Sequence, residues 1–299
     1  MNKKIRCAIV GSEGYLGRNM TYFLQKMDAE VVCYDLKEVA SIHNYKSVDI
    51  TNMNSLANID LNVDYLFLFS GMTGTYAGFD KYEQFVSVNE LGLLNLLTAI
   101  RNSAFRPHII FPSTRLVYKG KNEPLKETDD LEAKTVYAVN KLVCEQLLHA
   151  YQCSFDIKYT IFRICVPYGN LLGTDYSYGT IGFFLNQAVH KKQILLYGKG
   201  EIKRTFSHIY DLCNQIYKTI ISESSVNEIF NIGGEPFSLY DIATCISKRS
   251  GASIDFVEWP DRDLKIESGD TYFDDRKIKA LVGEYQYKTF FEFIQNLNF

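Results

Sequence analysis

Two residues at helical spacing, Tyr137 and Lys141, are the first candidates for chemistry. They lie four positions apart in TVYAVNKLVCEQ, residues 135–146, whose pattern predicts a helix. A free tyrosine has a pKa near 10, which is too high for efficient proton transfer at neutral pH. A lysine ammonium one helical turn away stabilises the phenolate and should lower that pKa. The pair therefore predicts a proton-handling centre, if the other elements place it beside a reactant.

A second pair, Tyr22 and Lys26, has the same spacing. With 21 tyrosines and 22 lysines in 299 residues, roughly 1.5 such pairs are expected by chance, so at least one of the two has no functional meaning. No other motif accompanies Tyr22 and Lys26, so we predict that they lie on the surface.

A glycine-rich turn follows the first predicted strand. The segment AIVGSEGYLGRNM opens a predicted helix, and turns of this kind let backbone N–H groups and the helix N-terminus approach a pyrophosphate. A glycine triplet alone is weak evidence, but here strand, turn, helix and a later acidic residue occur in order. The predicted cofactor-binding residues of the turn are Gly11, Gly14, Tyr15, Leu16 and Gly17.

Asp35 ends the second predicted strand, where a carboxylate accepts hydrogen bonds from an adenosine ribose. The same charge repels a 2′-phosphate, and the first basic residue after it is Lys37, so NAD is favoured over NADP. Asp49 and Ile50 follow a short third strand and either meet the adenine or form a surface turn. Ser70, at the end of the fourth strand, completes this predicted cofactor set.

The bulk composition fits a globular enzyme or binding protein. The chain has 299 residues, 46% of them hydrophobic and 22% charged, with a net charge of −3. Basic residues are scattered, which argues against nucleic acid or an anionic membrane surface as partner. Apolar runs are shorter than the ~20 residues of a membrane span, and no signal peptide is recognisable. Seven unpaired-looking cysteines predict reduced thiols in the cytoplasm, and five scattered histidines predict no metal site.

Apolar, β-branched runs alternate with helical patterns along most of the chain. This alternation predicts an α/β fold with a doubly wound parallel sheet, the Rossmann arrangement. The predicted strands are 5–10, 30–35, 65–71, 108–114, 157–164 and 227–233, and the predicted helices are 14–27, 82–102, 135–152 and 209–222. After Ile164 the pattern changes to one helix-like run at 179–193, another at 238–251, a strand at 253–259 and two final helices. We predict a dinucleotide-binding domain at 1–165 plus 206–233, and a smaller C-terminal substrate lobe at 166–205 plus 234–299.

Further motifs accompany the Tyr137–Lys141 pair. HIIFPSTRLVYKG supplies Ser113-Thr114 and Val117-Tyr118 ahead of it. This order resembles the extended short-chain dehydrogenase/reductase family, in particular its nucleotide-sugar epimerases, dehydratases and reductases. The segments FVSVNELGLLNLLTA, IFRICVPYG and KRTFSHIYDL resemble other motifs of that family, so the likeness covers essentially the whole chain.

The resemblance implies roles for these residues. Tyr137 removes a sugar hydroxyl proton while hydride leaves the same carbon for NAD, and Thr114 hydrogen-bonds the reacting oxygen. Lys141 also holds the nicotinamide ribose, and Asn89 supports the site. The family commonly forms homodimers through the helices at 82–102 and 135–152.

Three reactions share this hydride step. Dehydratases of the family carry Asp-Glu after the threonine, where this chain has Arg115 and Leu116, so 4,6-dehydration is disfavoured. The expected NAD preference favours a nucleotide-sugar epimerase that passes through a transient 4-keto sugar. Val166 stands where epimerases usually have Asn, and the histidine that often ends their fourth strand is replaced within FLFSG. A reductase of a nucleotide-linked 4-keto-6-deoxysugar is therefore the alternative.

Candidate substrate residues lie mainly in the second lobe. Arg204 and Arg262 are predicted to bind the diphosphate, because a guanidinium fork suits phosphate oxygens. Surface ion pairs are the alternative for both. Tyr197 contacts the base or packs in the core, Thr73 and Val166 line the sugar pocket, and Thr114 also contacts the substrate. Two other classes of function are alternatives, namely a cofactor sensor without turnover and an oxidoreductase for apolar alcohols.

Overall fold

The protein is described here from a computed structural model that covers residues 4–38, 44–173 and 178–297. The chain forms two compact units. The first comprises Met1–Val117, Ala133–Arg163 and Thr219–Phe230, and the second Tyr118–Glu132, Ile164–Lys218 and Asn231–Phe299.

The first unit is built on a seven-stranded sheet whose order is β10-β6-β5-β4-β1-β2-β3. The pairs β1–β2, β1–β4, β2–β3 and β4–β5 are parallel. The strands of the chain are β1 (Arg6–Val10), β2 (Glu30–Asp35), β3 (Tyr45–Ser47), β4 (Tyr65–Leu68), β5 (His108–Thr114), β6 (Tyr159–Ile164), β7 (Val166–Tyr168), β8 (Gln193–Tyr197), β9 (Lys203–His208), β10 (Glu228–Asn231), β11 (Glu235–Ser238) and β12 (Ser253–Val257). The predicted doubly wound sheet is thus confirmed, and the strand order reverses between β1 and β4.

Helices connect these strands. They are α1 (Tyr15–Lys26), α2 (Met53–Leu56), α3 (Ala77–Asp80), α4 (Tyr82–Phe85), α5 (Gly92–Asn102), α6 (Val136–Phe155), α7 (Gly179–Asn186), α8 (Ile209–Ile220), α9 (Leu239–Ser250), α10 (Asp261–Ile266), α11 (Arg276–Val282) and α12 (Phe290–Gln295). The helix predicted at 82–102 is interrupted by a π-helical segment, Val86–Leu91. After residue 260 the described chain has three short helices, whereas we predicted two. No helix among the described residues is long and apolar enough to cross a membrane.

Burial on both faces explains the near-continuous apolar runs of the central strands. Every residue of β5 and β6 is buried. The core of the first unit includes Ala8 and Val10 of β1 and Ile109 of β5, with Leu96 and Leu148 packed from helices. Parallel strands covered on two sides leave no room for alternating polar positions.

The second unit has two small sheets. In one, β9 pairs antiparallel with β11 and parallel with β7, and in the other β8 pairs with β12. These pairings place the start of 206–233 in the second unit, although we predicted that whole range for the dinucleotide-binding domain. Residues 118–132 also join the second unit, where the Leu125 N–H donates to Tyr272 at 2.8 Å and that of Lys121 to Asp270 at 3.1 Å.

A buried ion pair fastens α6 to the sheet within the first unit. The Arg163 guanidinium of β6 donates to both carboxylate oxygens of Glu145, from Nε at 3.1 Å and from Nη2 at 2.6 Å. The side chains are 3% and 1% exposed. The Ser113 hydroxyl also donates to Glu145, so a helix and two strands meet at one carboxylate.

Removing Arg163 alone should strand the Glu145 charge in the core. We expect Arg163→Met to lower the free energy of unfolding by about 3–5 kcal/mol. The double variant Arg163→Met/Glu145→Leu should recover most of that loss, because no buried charge remains. Urea unfolding monitored by circular dichroism measures both values. The pair Arg276–Asp274, whose arginine is 76% exposed, provides the control, and a loss as large for Arg276→Met would contradict the burial argument.

Candidate active site

The glycine turn after β1 is shaped by close backbone packing. Gly11 has φ +93°, and a Cβ there would lie 2.2 Å from the Ser70 nitrogen. A Cβ on Gly17 would lie 2.1 Å from the Gly11 oxygen. Both positions therefore require glycine, since a larger residue would push the turn away from β4 or from α1.

The same turn provides no side-chain cap for the N-terminus of α1. Gly14 is the N-cap residue, it provides no side-chain cap, and the first turn has no acidic residue. The N–H groups at a helix start carry partial positive charge and suit a phosphate. The arrangement fits the pyrophosphate predicted from the sequence.

Asp35 is fixed at the end of β2 by two backbone hydrogen bonds. Its Oδ2 accepts from the Glu13 N–H at 2.8 Å, and its Oδ1 accepts from the Leu36 N–H at 2.8 Å. Each carboxylate oxygen retains lone-pair capacity for a further donor, such as a ribose hydroxyl. The first bond also ties the carboxylate to the glycine turn.

A cavity of about 490 Å³ opens over the carboxyl ends of β1, β2 and β4. Ligands of open α/β sheets bind at this position, where the strand order reverses. The cavity is lined by Val10, Gly11, Glu13, Gly14, Asp35, Leu36, Lys37, Val48, Asp49, Ile50, Thr51, Phe69, Ser70, Gly71, Met72 and Val88. Six predicted cofactor residues are among them, namely Gly11, Gly14, Asp35, Asp49, Ile50 and Ser70. Tyr15, Leu16 and Gly17 lie just beyond the cavity, in the first turn of α1.

Asn89 holds the loop that follows β4. Its Oδ1 accepts from the Met72 N–H at 2.7 Å, and its Nδ2 donates to the Met72 oxygen at 3.1 Å. Asn89 lies in the π-helical segment, and the Cys144 thiol of α6 donates to its carbonyl at 3.2 Å. The asparagine therefore supports the wall of the cavity and joins it to the helix that carries the Tyr137–Lys141 pair.

Lys141 is a buried cation. It is 5% exposed, and its Nζ lies 4.3 Å from the centre of the Phe111 ring. Within the described ranges no side chain or carbonyl forms a hydrogen bond or ion pair with this ammonium. It points past Gly71, where an added Cβ would lie 4.0 Å from Nζ. Because Gly71 lines the cavity, the ammonium is placed to bind a ligand there.

Burial lowers the pKa of Lys141 to about 8, and the nearby Cys144 and Glu145 oppose that shift. The amine is therefore still largely protonated at neutral pH. A desolvated ammonium without a hydrogen-bonding partner is costly, and such sites are more often functional than structural.

Tyr137 lies on α6 and Thr114 lies on β5, the two elements joined by the contact between Lys141 and Phe111. Tyr137 is partly buried in the first turn of α6, which begins where the Thr135 hydroxyl accepts from the Ala138 N–H at 3.1 Å. Thr114 ends β5 with 7% exposure, three residues after the Phe111 ring that carries the ammonium. Both predicted hydroxyl groups therefore belong to the first unit, one on α6 and one on β5.

The sequence predictions did not include Glu145, which ties α6 to β5 and β6 through its bonds to Ser113 and Arg163. It lies four residues after Lys141, so Tyr137, Lys141 and Glu145 follow one another at single-turn spacing along the helix. That spacing was the available signal. Its partner Arg163 lies in a strand, and the sequence contains nothing that links the two positions.

The second-unit candidates have varied surroundings. The Arg204 guanidinium, 2% exposed, donates to the carbonyls of Lys203 and Gly269 and to Glu267 at 2.5 Å. The guanidinium that we predicted to bind the diphosphate is therefore paired with Glu267. Arg262 is exposed on α10, and Val166 lies in the apolar core of the second unit.

Tyr197 packs against Trp259, with 5.1 Å between ring centres, beside a cavity of about 190 Å³. Thr73 is exposed on the loop after β4, in the first unit. The substrate roles of these residues, like the cofactor and catalytic roles above, stay predictions.

Fold and site together define a dinucleotide-binding α/β protein with a Tyr-x-x-x-Lys centre. Residues 7–233 match the model of the NAD-dependent epimerase/dehydratase family. The chain belongs to that family, which confirms the resemblance seen in the sequence.

Individual relatives share less than a third of their residues with this chain. The chain is 27% identical over 231 residues to "uncharacterized UDP-glucose epimerase YtcB" of Bacillus subtilis, covering 76% of this chain and 71% of that protein. It is 24% identical over 300 residues to CDP-paratose 2-epimerase of Salmonella typhi, covering 87% and 88%. The crystal structure of UDP-glucuronic acid 4-epimerase from Bacillus cereus, in complex with UDP-glucuronic acid and NAD, superposes with a TM-score of 0.81 at 21% identity, covering 97% of each chain.

The buried Lys141 charge should reduce the stability of the cofactor-free protein. The folded-state pKa is below the ordinary value of 10.5, so this cost is fully present below about pH 8 and disappears as pH rises towards 10.5. We expect Lys141→Met to raise the free energy of unfolding at pH 7 by about 1–3 kcal/mol. Urea titrations at pH 7 and pH 10 measure the gain. An equal gain at both values would show that packing, and not charge, is responsible.

Proposed function

We propose that the protein is an NAD-dependent nucleotide-sugar epimerase that works through a transient 4-keto sugar. The observation that carries the proposal is the Lys141 ammonium, buried over Phe111 and beside Gly71 at the edge of the dinucleotide cavity. This cation needs an external partner, and a nicotinamide ribose would supply hydroxyl acceptors for it.

The cofactor-binding part is assigned to the residues of the large cavity. The glycine turn and the start of α1 bind the pyrophosphate through backbone N–H groups. Asp35 accepts hydrogen bonds from the adenosine ribose, and Asp49 and Ile50 border the adenine end. Bound NAD supplies a hydride acceptor that can return the same hydride.

The proton-handling part is assigned to α6 and β5. Tyr137 takes the proton from a sugar hydroxyl, and the adjacent cation stabilises the phenolate that the transfer requires. Thr114 donates a hydrogen bond to the same oxygen. After the sugar turns over in the site, Tyr137 gives the proton back as hydride returns to the other face of the carbon.

Two relatives support the epimerase assignment without fixing the substrate. Their names carry different nucleotides, UDP and CDP, and the second places its reaction at carbon 2. A reductase of a nucleotide-linked 4-keto-6-deoxysugar is the second candidate. It is favoured by the burial of Val166 in the core, since an apolar side chain there offers no amide to orient a sugar for turnover.

The diphosphate needs a cationic partner in the second unit. Arg204 is 2% exposed and paired with Glu267, so it fulfils that role only if this ion pair opens. Arg262 is exposed on α10. We assign the diphosphate to these two arginines, with Tyr197 and Trp259 beside the base, and we propose a cytoplasmic location for the enzyme.

We further propose a homodimer formed through the helices of the first unit. Val86 and Leu91 in the π-helical segment are 43% and 45% exposed, and Val139 on α6 is 45% exposed. Apolar side chains at this level of exposure on adjoining helices suit a helix-to-helix interface.

Replacing Tyr137 by Phe tests the mechanism. The phenol oxygen is lost while the ring is kept, so we expect turnover of the accepted nucleotide sugar to fall by about 10²–10⁴-fold. NAD binding, followed by fluorescence of the reduced form, should change little. The matched control is Tyr22→Phe, whose ring lies under Lys26 and away from the cavity. Unchanged turnover in Tyr137→Phe would end the proposal.

Isotope tracing separates the two candidate reactions. A sugar deuterated at the reacting carbon should keep its label in the product of an epimerase, without net consumption of cofactor. A reductase instead consumes one reduced cofactor for each keto sugar. Stoichiometric loss of NADH with a 4-keto substrate would replace the first candidate by the second.

The dimer is tested by a charge at its proposed centre. One chain has a mass of 34.3 kDa, so light scattering of the wild type should give about twice that value. Leu91→Glu should shift the mass to that of one chain, because an unpaired carboxylate would be buried at the interface. The exposed Phe155, at the far end of α6, serves as control in Phe155→Glu. A wild type that runs as a single chain would remove the interface.

A further inference from the structure

We propose that Glu13 is a second determinant of cofactor choice, which together with Lys37 excludes a 2′-phosphate from the ribose end of the cavity. The inference rests on the proposed NAD site and deepens it. It concerns a residue inside the glycine turn that the cofactor assignment above does not use.

Glu13 is an acidic residue within the glycine turn, and most of its side chain is buried. Its side chain is 10% exposed and lines the large cavity. The Oε1 atom is buried and accepts no hydrogen bond from the residues that the structure describes. A carboxylate oxygen in this state lacks a donor, and a ligand in the cavity is the available source of one.

Asp35 and Glu13 form one acidic edge. The Glu13 N–H donates to the Asp35 carboxylate at 2.8 Å, and both residues line the cavity. The local field is visible at Tyr45, where burial and the charges of Asp35 and Glu13 raise the pKa of the phenol. Two carboxylates side by side accept hydrogen bonds from the two hydroxyls of an adenosine ribose, but they repel another anion.

Lys37 is the cation nearest in sequence to this edge, and Glu13 holds it. Its Nζ lies 3.3 Å from the second oxygen of Glu13. The Tyr45 hydroxyl donates to the carbonyls of Asp35 and Lys37, which fixes the backbone from which the lysine extends. Paired in this way, the ammonium is partly neutralised, which weakens its attraction for a phosphate.

The chemistry of the two cofactors differs at this point. The 2′-hydroxyl of NAD can donate a hydrogen bond to a carboxylate. The 2′-phosphate of NADP has roughly −1.5 to −2 charge at neutral pH and no comparable donor. Removing the Glu13 charge would both lower the repulsion and release Lys37 to bind the phosphate.

Titration of the purified protein with NADH and with NADPH, followed by cofactor fluorescence, tests this directly. We expect the wild type to bind NADH much more tightly than NADPH. Glu13→Gln should improve NADPH binding by about tenfold or more, the scale of one charge–charge interaction near a protein surface. NADH binding should weaken only a few-fold, because Asp35 remains.

Three further variants complete the design. The double variant Glu13→Gln/Lys37→Met should lose most of the NADPH gain, since the released cation is absent. Glu38→Gln removes an equal charge from an exposed neighbour outside the cavity and should leave the ratio of the two affinities unchanged. Glu13→Ser gives a second form of the charge removal if the glutamine variant fails to fold.

The outcomes distinguish the inference from the function beneath it. A wild type that binds neither dinucleotide would overturn the proposed function. A wild type that binds NADH, together with Glu13 variants whose NADPH-to-NADH ratio stays within two-fold of it, would overturn the role of Glu13 alone. A gain that survives Lys37→Met would assign the selectivity to repulsion and remove the lysine from it.

Discussion

The candidate site of the first unit is arranged around one buried positive charge. Lys141 loses its hydration on entering the space between α6 and β5, and among the described residues the face of Phe111 and the charges of Cys144 and Glu145 offset part of that loss. Folding alone gains nothing from this arrangement. The sheet, the glycine turn and the hydrogen bonds between Asn89 and Met72 fit a scaffold that leaves this charge available to a ligand.

Other buried charges of the first unit are handled differently. Arg163 and Glu145 satisfy each other with two hydrogen bonds and a serine hydroxyl, so the network behind α6 is closed. On α6, the Glu145 carboxylate is thus paired within the protein, whereas the Lys141 ammonium has no hydrogen-bonding partner among the described residues. In the second unit, Arg204 belongs to the closed kind, because Glu267 and two carbonyls surround it.

Patterns local in sequence predicted much of this architecture. The bounds of β2 and β5 coincide with the predicted 30–35 and 108–114, because continuous apolar runs ended by polar residues leave little choice. Long-range pairings were beyond reach. Glu145 meets Arg163 across a helix and a strand, and Arg204 meets Glu267 more than 60 residues away, with no spacing rule that connects them. The π-helical segment was also invisible, since its apolar residues keep a periodicity close to that of an ordinary helix.

The π-helical segment sets the spacing of the residues that support the cavity. A π turn contains one residue more than an α turn, and Asn89, which binds Met72, lies within this segment. Deleting a single residue between 86 and 91 would restore regular winding and swing the following side chains by ~100° around the axis. A change in the length of this stretch would therefore displace the cavity wall next to Met72, whereas an exchange of an outward-facing side chain would leave the winding intact.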